Sequence, residues 1–341
     1  SVSPGEYLTP EAGDRGPDGQ DPSGLEPLVR RLKETRFFQA LFFDPDRVQA
    51  LNRLVADLKA FLADEERLLE EAAGRFRTET LEIVNSRLVS LKDAVWSLEK
   101  DVLENVGRIA ALAGSGRDVD VAAFRKLHYL NFLLNGLDRL EVRGRDSAGI
   151  QISFSLPDPE DWRRIRRELK ARNLDEAFRK RSAPGDLLPG SISVFPPDGD
   201  GDPAGQAGRT VAFTFKTASI IGELGRNVRD LRQAIAGDEI FQLIVRHPSA
   251  AELSMAHTRW ASVGSITVEN CHPVNNFAPS GSDAGTERTR PRPGRSVGSI
   301  SVVLNGDIDN YAALRDALEA RGETVAAEVT TDTKIIPLEI E

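Results

Sequence analysis

Four short stretches of this chain set polar groups beside small residues and turns: "AHTRWASVG" (256–264), "NCHP" (270–273), "LNGDIDN" (304–310) and "TTDTK" (330–334). Arg259 next to Trp260 suits a carboxylate gripped by a bidentate guanidinium, while a lone arginine is as readily half of a surface ion pair. Asn305 and Gly306 offer a side-chain amide and a backbone N–H to an oxygen gaining negative charge, although Asn-Gly is more commonly a turn. Asp332 could hold an ammonium group or simply cap a helix. The four histidines, His128, His247, His257 and His272, show no metal-ligand spacing. Neither a metal nor a cofactor is therefore expected.

These stretches sit in a region where helices and strands alternate. A helix is expected at 120–141, with Phe124, Leu127, Leu130, Leu134, Leu137 and Leu140 on one face, followed by an alternating strand at 150–156. A basic helix at 159–181, strands at 191–195 and 210–216, and an amphipathic helix at 222–236 come next. After a polar loop at 278–296, a strand at 299–306 and a helix at 311–322 close the series. Upstream the pattern is wholly helical. Asp44-Pro45 is a cap followed by proline at the first helical position. Leu51, Val55, Leu58, Leu62, Leu69, Ala72 and Phe76 recur at helical steps, with Gly74 a weak point. Val84, Leu88, Leu91, Val95, Leu98, Val102, Val106 and Ile109 then repeat the stripe. The alternatives are an antiparallel arm packed on itself and an arm for dimerisation or docking. Residues 1–24, rich in Pro, Gly and Asp, read as an irregular lead-in. The division expected is 1–24 lead-in, 25–114 helical insertion and 115–341 α+β domain.

A formal charge of −9 argues against nucleic acid as the main partner. One cysteine, Cys271, rules out an internal disulfide framework and fits a reducing, cytoplasmic setting. No apolar run is long enough to span a membrane, and the polar N-terminus does not resemble a signal peptide. The uncapped apolar segment "TKIIPLEIE" ends the chain as a fragment would end.

"LDRLEVRGRDSAG" (137–149), "AHTRWASVG", "NCHP", "LNGDIDNYAALRDALEARG" (304–322) and "TTDTK" occur in the order found in class II glutamine amidotransferases. The wording most resembles the glutaminase domain of glutamine–fructose-6-phosphate aminotransferases, over about residues 120–341. The resemblance implies an αββα sandwich of the N-terminal-nucleophile hydrolase type, interrupted by the helical arm. It implies release of ammonia from L-glutamine, for transfer to fructose 6-phosphate by downstream sugar isomerase domains outside these residues. Homodimerisation is compatible with it. By resemblance Arg259 grips the α-carboxylate of glutamine and Trp260 walls the pocket. Asn305 and Gly306 form the oxyanion hole, Asp332 binds the α-amino group, and Arg143 helps to order the site. Such roles fit a zwitterion, which needs one cation and one anion at fixed separation, plus donors aimed at its amide oxygen.

The chain departs from this pattern at the nucleophile. The family uses an N-terminal cysteine on a short glycine-containing strand, whereas this chain opens "SVSPGEY". The first strand and its cysteine are expected upstream of these residues, or lost. Ser1 lacks the strand that would position it. Cys271 is internal and reads as a small packed side chain, and Val263 replaces a polar residue that helps to hold the substrate carboxylate. The rival expectation is an inactive amidotransferase-like module, acting in regulation or assembly through its helical arm.

Overall fold

The computed structural model describes residues 25–72, 77–182, 190–196, 208–218, 223–261, 263–276, 300–323 and 325–340. The expected lead-in at 1–24, Gly74, Phe76 and the loop at 278–296 lie outside them. The chain divides into two compact units, Ser1–Ala111 with Ser115–Arg117, and Leu112–Gly114 with Asp118–Glu341.

In the first unit the apolar stripe decides the packing. α1 (Leu25–Lys33) and α2 (Thr35–Phe42) precede α3 (Pro45–Ala72) and α4 (Thr78–Ser97), and a π-helical turn at Leu98–Leu103 carries α4 into α5 (Glu104–Leu112). Asp44 starts α3 by accepting the Arg47 amide at 3.0 Å. Val55 and Leu62 of α3 pack with Val84, Leu88, Leu91, Val95 and Leu98, and with Val29 of α1. Each such burial stabilises by about 1.5–3 kcal/mol. Lys59 pairs with Glu99, and Lys92 with Glu66. Positions rise along α3 as they fall along α4, so the two helices run antiparallel. The π turn also has a reason. From Leu98 to Val102 to Val106 the stripe takes two successive steps of four, and one wider turn keeps all three residues inside. α1 and α2 carry only a weak sequence signal. They are short, and Glu34, which precedes α2, makes no side-chain cap.

The second unit is built on an antiparallel sheet in the order β2-β3-β1-β4, comprising β1 (Ser147–Leu156), β2 (Ser191–Phe195), β3 (Arg209–Ala218) and β4 (Ala251–Arg259). The chain is therefore α+β. One face carries Ile150, Ile152, Phe154, Phe213 and Phe215, and Phe241 of α10 (Glu239–Ile244) closes against Phe213 edge-on at 5.3 Å. α6 (Val121–Leu140), α7 (Pro159–Ala171) and α9 (Arg226–Gly237) also pack on the sheet. Phe124, Leu127, Leu130, Leu134 and Leu137 of α6 are buried, but Leu140, expected on the same face, is exposed. The basic helix expected at 159–181 is two helices, α7 and α8 (Asp175–Arg181). Asn173 adopts a left-handed φ of 57°, and the Leu174 amide returns to the Leu169 carbonyl at 2.8 Å, which ends α7. β5 (Val274–Asn275) and β6 (Ser301–Val302) form a separate two-stranded sheet, so the strand expected at 299–306 is short. α11 (Tyr311–Ala320) and α12 (Ile335–Ile340) follow.

Candidate functional site

β1 alternates strictly, and its second face is polar: Ser147, Gly149 and Gln151. The register sets Gly149 opposite Lys216 of β3 on one side and His257 of β4 on the other, while Ser147 faces Arg259. Ser147, Gln151, Lys216 and Arg259 are all buried. Here the glycines of "RGRDSAG" acquire a physical reason. A β-carbon on Gly149 would stand 1.9 Å from the His272 carbonyl oxygen, and one on Gly144 would stand 2.9 Å from the Arg259 backbone. Both close approaches require glycine.

Asn270 is the hub of the loop over this face. Its carbonyl oxygen accepts the Thr330 and Thr331 amides at 2.7 and 2.8 Å. Its side-chain nitrogen donates to Thr267 Oγ1 at 2.9 Å and to the Glu328 carbonyl at 3.0 Å. "TTDTK" is thereby fastened to the segment leading into His272. His272 Nδ1 accepts the Leu304 amide at 3.4 Å, and Asp332 Oδ2 accepts the Ile308 amide at 2.7 Å. The two bonds bracket Asn305 and Gly306. Lys334 completes the network by donating to the Asn275 carbonyl.

The electrostatics follow from burial. Arg259 donates to the Ser265 carbonyl at 3.2 Å and to the Val263 carbonyl. Desolvation lowers its pKa, opposed by Cys271, which acts only when ionised, and by Asp332 and Asp146. His272 is pushed down to about 3, chiefly by burial and then by His257, Arg259 and Lys216, so it is neutral at ordinary pH. Its ring lies 4.7 Å from that of His257. Burial takes Lys216 down to about 8, against the pull of Cys271 and Glu269. The Cys271 thiol is raised by burial, although Lys216, Ser147, the Thr217 amide and Arg259 all favour the thiolate.

Arg259 and Asp332 are thus within electrostatic reach, with the exposed Asn305–Gly306 bend tied between Asp332 and His272. Trp260 is 66% exposed, and Arg143 is exposed in the turn before β1. Cys271 is fully buried. Asn270 and His272 lie in the stretch "NCHP", whose wording gives no hint of their bonding, and Lys216 lies in none of the four stretches. Among the described residues no cluster of three or more His, Cys, Asp or Glu is placed to hold a metal ion, and no helix is long and apolar enough to cross a membrane.

Comparison with known proteins gives a partial relationship. No family model and no solved structure matches the chain. Ninety-nine residues, 29% of the chain, are 31% identical to a glutamine–fructose-6-phosphate aminotransferase of Zymomonas mobilis. A namesake in Acinetobacter baylyi is 32% identical over 109 residues, 32% of the chain, and one in Thermosynechococcus vestitus 37% over 87, 26% of the chain. The matched stretches span 12%, 13% and 10% of those relatives' lengths. About a third of this chain or less is thus similar to part of the glutamine–fructose-6-phosphate aminotransferases.

Proposed function

We propose that residues 115–341 are a class II glutamine amidotransferase domain that binds L-glutamine, with residues 25–114 as a helical insertion. The observation that supports this reading is that a buried cation, Arg259, feels the charge of a buried anion, Asp332, which in turn accepts the Ile308 amide close after the Asn305–Gly306 bend. Arg259 would turn from the Val263 and Ser265 carbonyls to the α-carboxylate, Asp332 would take the α-ammonium, and Asn305 with the Gly306 amide would face the amide oxygen. Trp260 and Arg143 would close over the bound amino acid. The two sheets would be the inner layers of an αββα sandwich. The similarity to the aminotransferases supports ammonia transfer to fructose 6-phosphate in the cytoplasm, through sugar isomerase domains outside these residues.

One observation favours a second reading, a binding module without hydrolysis: the one cysteine, Cys271, has no exposure. Calorimetric titration of L-glutamine, paired with an assay of glutamate release, separates the two. Binding with release supports the enzyme, and binding without release supports the module. Arg259→Ala should weaken binding more than about 100-fold, since a desolvated charged partner is lost. An unchanged affinity refutes the assignment.

A further inference from the structure

The turn from Glu141 to Asp146, between α6 and β1, is held from two sides. On one side the buried Glu141 carboxylate accepts the Val228 amide at 3.0 Å and the Gly225 amide. The Asn227 side-chain nitrogen donates to the Arg145 carbonyl at 2.9 Å, so the start of α9 grips the turn. On the other side Asp146 grips the residues that end β4. Its Oδ2 accepts the Ala261 amide at 2.9 Å, and its own amide donates to the Arg259 carbonyl at 3.2 Å. Gly144 lies against the same stretch, where a β-carbon would stand 3.0 Å from the Trp260 nitrogen.

Trp260 is thereby bracketed: both of its chain neighbours are bonded to Asp146, while Trp260 itself is 66% exposed. The Arg259 guanidinium has other partners, the Val263 and Ser265 carbonyls, and would exchange them for a ligand carboxylate. The two bonds to Asp146 use the backbone of 259–261 and survive that exchange. A carboxylate holds a backbone N–H more strongly than a neutral acceptor does. A turn fixed before the ligand arrives also spares the ordering cost of binding. Separately, the Asp146 charge favours the protonated form of Arg259. We infer that Asp146 is a positioning residue of the amino-acid site, acting through its grip on the backbone of 259–261 to face Arg259 and Trp260 toward the α-carboxylate. This rests on the glutamine site proposed above.

The test uses the full chain labelled with 5-fluorotryptophan. Its three tryptophans, Trp96, Trp162 and Trp260, give three fluorine resonances, and Trp260→Phe identifies the one that matters. Asp146→Ala should displace the Trp260 resonance and leave those of Trp96 in α4 and Trp162 in α7 in place. It should also weaken L-glutamine binding, read by calorimetry, at least about tenfold. Asp146→Asn keeps an oxygen for the Ala261 amide and removes the charge. It should restore the Trp260 resonance and most of the affinity. An unmoved Trp260 resonance or an unchanged affinity in Asp146→Ala overturns the inference and leaves the glutamine site standing. Displacement of all three resonances does the same, because it marks a general structural role. So does an Asp146→Asn protein as weak as Asp146→Ala, because it marks an effect of charge. No glutamine binding by the unaltered protein overturns the site, and the inference with it.

Discussion

The helical unit and the polar face of the main sheet bury their residues for opposite reasons. In the helical unit the buried side chains are apolar apart from Glu65 of α3: Val84, Leu88, Leu91, Val95, Leu98, Val102, Val106 and Ile109 are each at most 4% exposed. Hydrophobic transfer holds that stripe together, and charges such as Lys59 and Glu99 remain outside. On the sheet, Ser147, Gln151, Thr214, Lys216 and Arg259 are equally hidden and are polar or charged. Their burial costs free energy unless hydrogen bonds or counter-charges offset it. The Gln151–Thr214 bond at 3.1 Å offsets some of it, and among the described residues Lys216 finds no such bond. A stripe of the first kind is built for stability. A face of the second kind is where recognition is to be expected.

Mutations should therefore differ in sign between the two regions. Leu88→Ala should destabilise the protein by about 2–5 kcal/mol, the usual cost of emptying a packed leucine site, read as a lowered denaturant midpoint. Lys216→Met should do the reverse. A fall from 10.5 to about 8 corresponds to about 3 kcal/mol of burial penalty, which an apolar side chain of similar length removes. The sign follows from linkage. The folded pKa is depressed, so the penalty is full below about pH 8 and vanishes as pH rises to the unfolded value. The unaltered protein should gain stability across that window, and Lys216→Met should not. If Lys216→Met were less stable at neutral pH, the contrast between the two regions would be wrong.

The same contrast explains what the sequence discloses. The stripe from Val84 to Ile109 is legible because helical burial depends on local periodicity, and each member repeats the signal. "HTRW" and "TTDTK" are legible as chemistry through their wording. What holds them together is not, since Asn270 bonds to Glu328, Thr330 and Thr331, some 58 to 61 residues away. An asparagine before Cys-His-Pro carries no trace of such partners. Lys216 ends an alternating strand and would ordinarily be taken as solvated. Only the register, opposite Gly149 under the His272 carbonyl, puts it inside.

Acid should expose the polar face before the helical unit. His272, with a folded pKa of about 3 against an unfolded value near 6.5, is held neutral by burial. Its contribution is intact above pH 6.5 and is lost as pH falls toward 3, about 2 kcal/mol by pH 5. His272→Gln keeps an acceptor for the Leu304 amide and should flatten this part of the pH–stability curve. An identical slope in the variant would mean that His272 is not the buried neutral base.

The smallest effect is expected where the helical unit meets solvent. Lys59 and Glu99 approach to 2.6 Å, yet both side chains are at least a third exposed, so water and salt screen the pair and its ordering costs entropy. Lys59→Ala should cost less than about 1 kcal/mol, and less again at high salt. Glu99, whose pKa the Lys59 hydrogen bond lowers, should titrate closer to an ordinary carboxylate in the variant. A cost comparable to Leu88→Ala would mean that charge, as well as the apolar stripe, holds α3 against α4. The helical unit would then depend on electrostatics as the polar sheet face does.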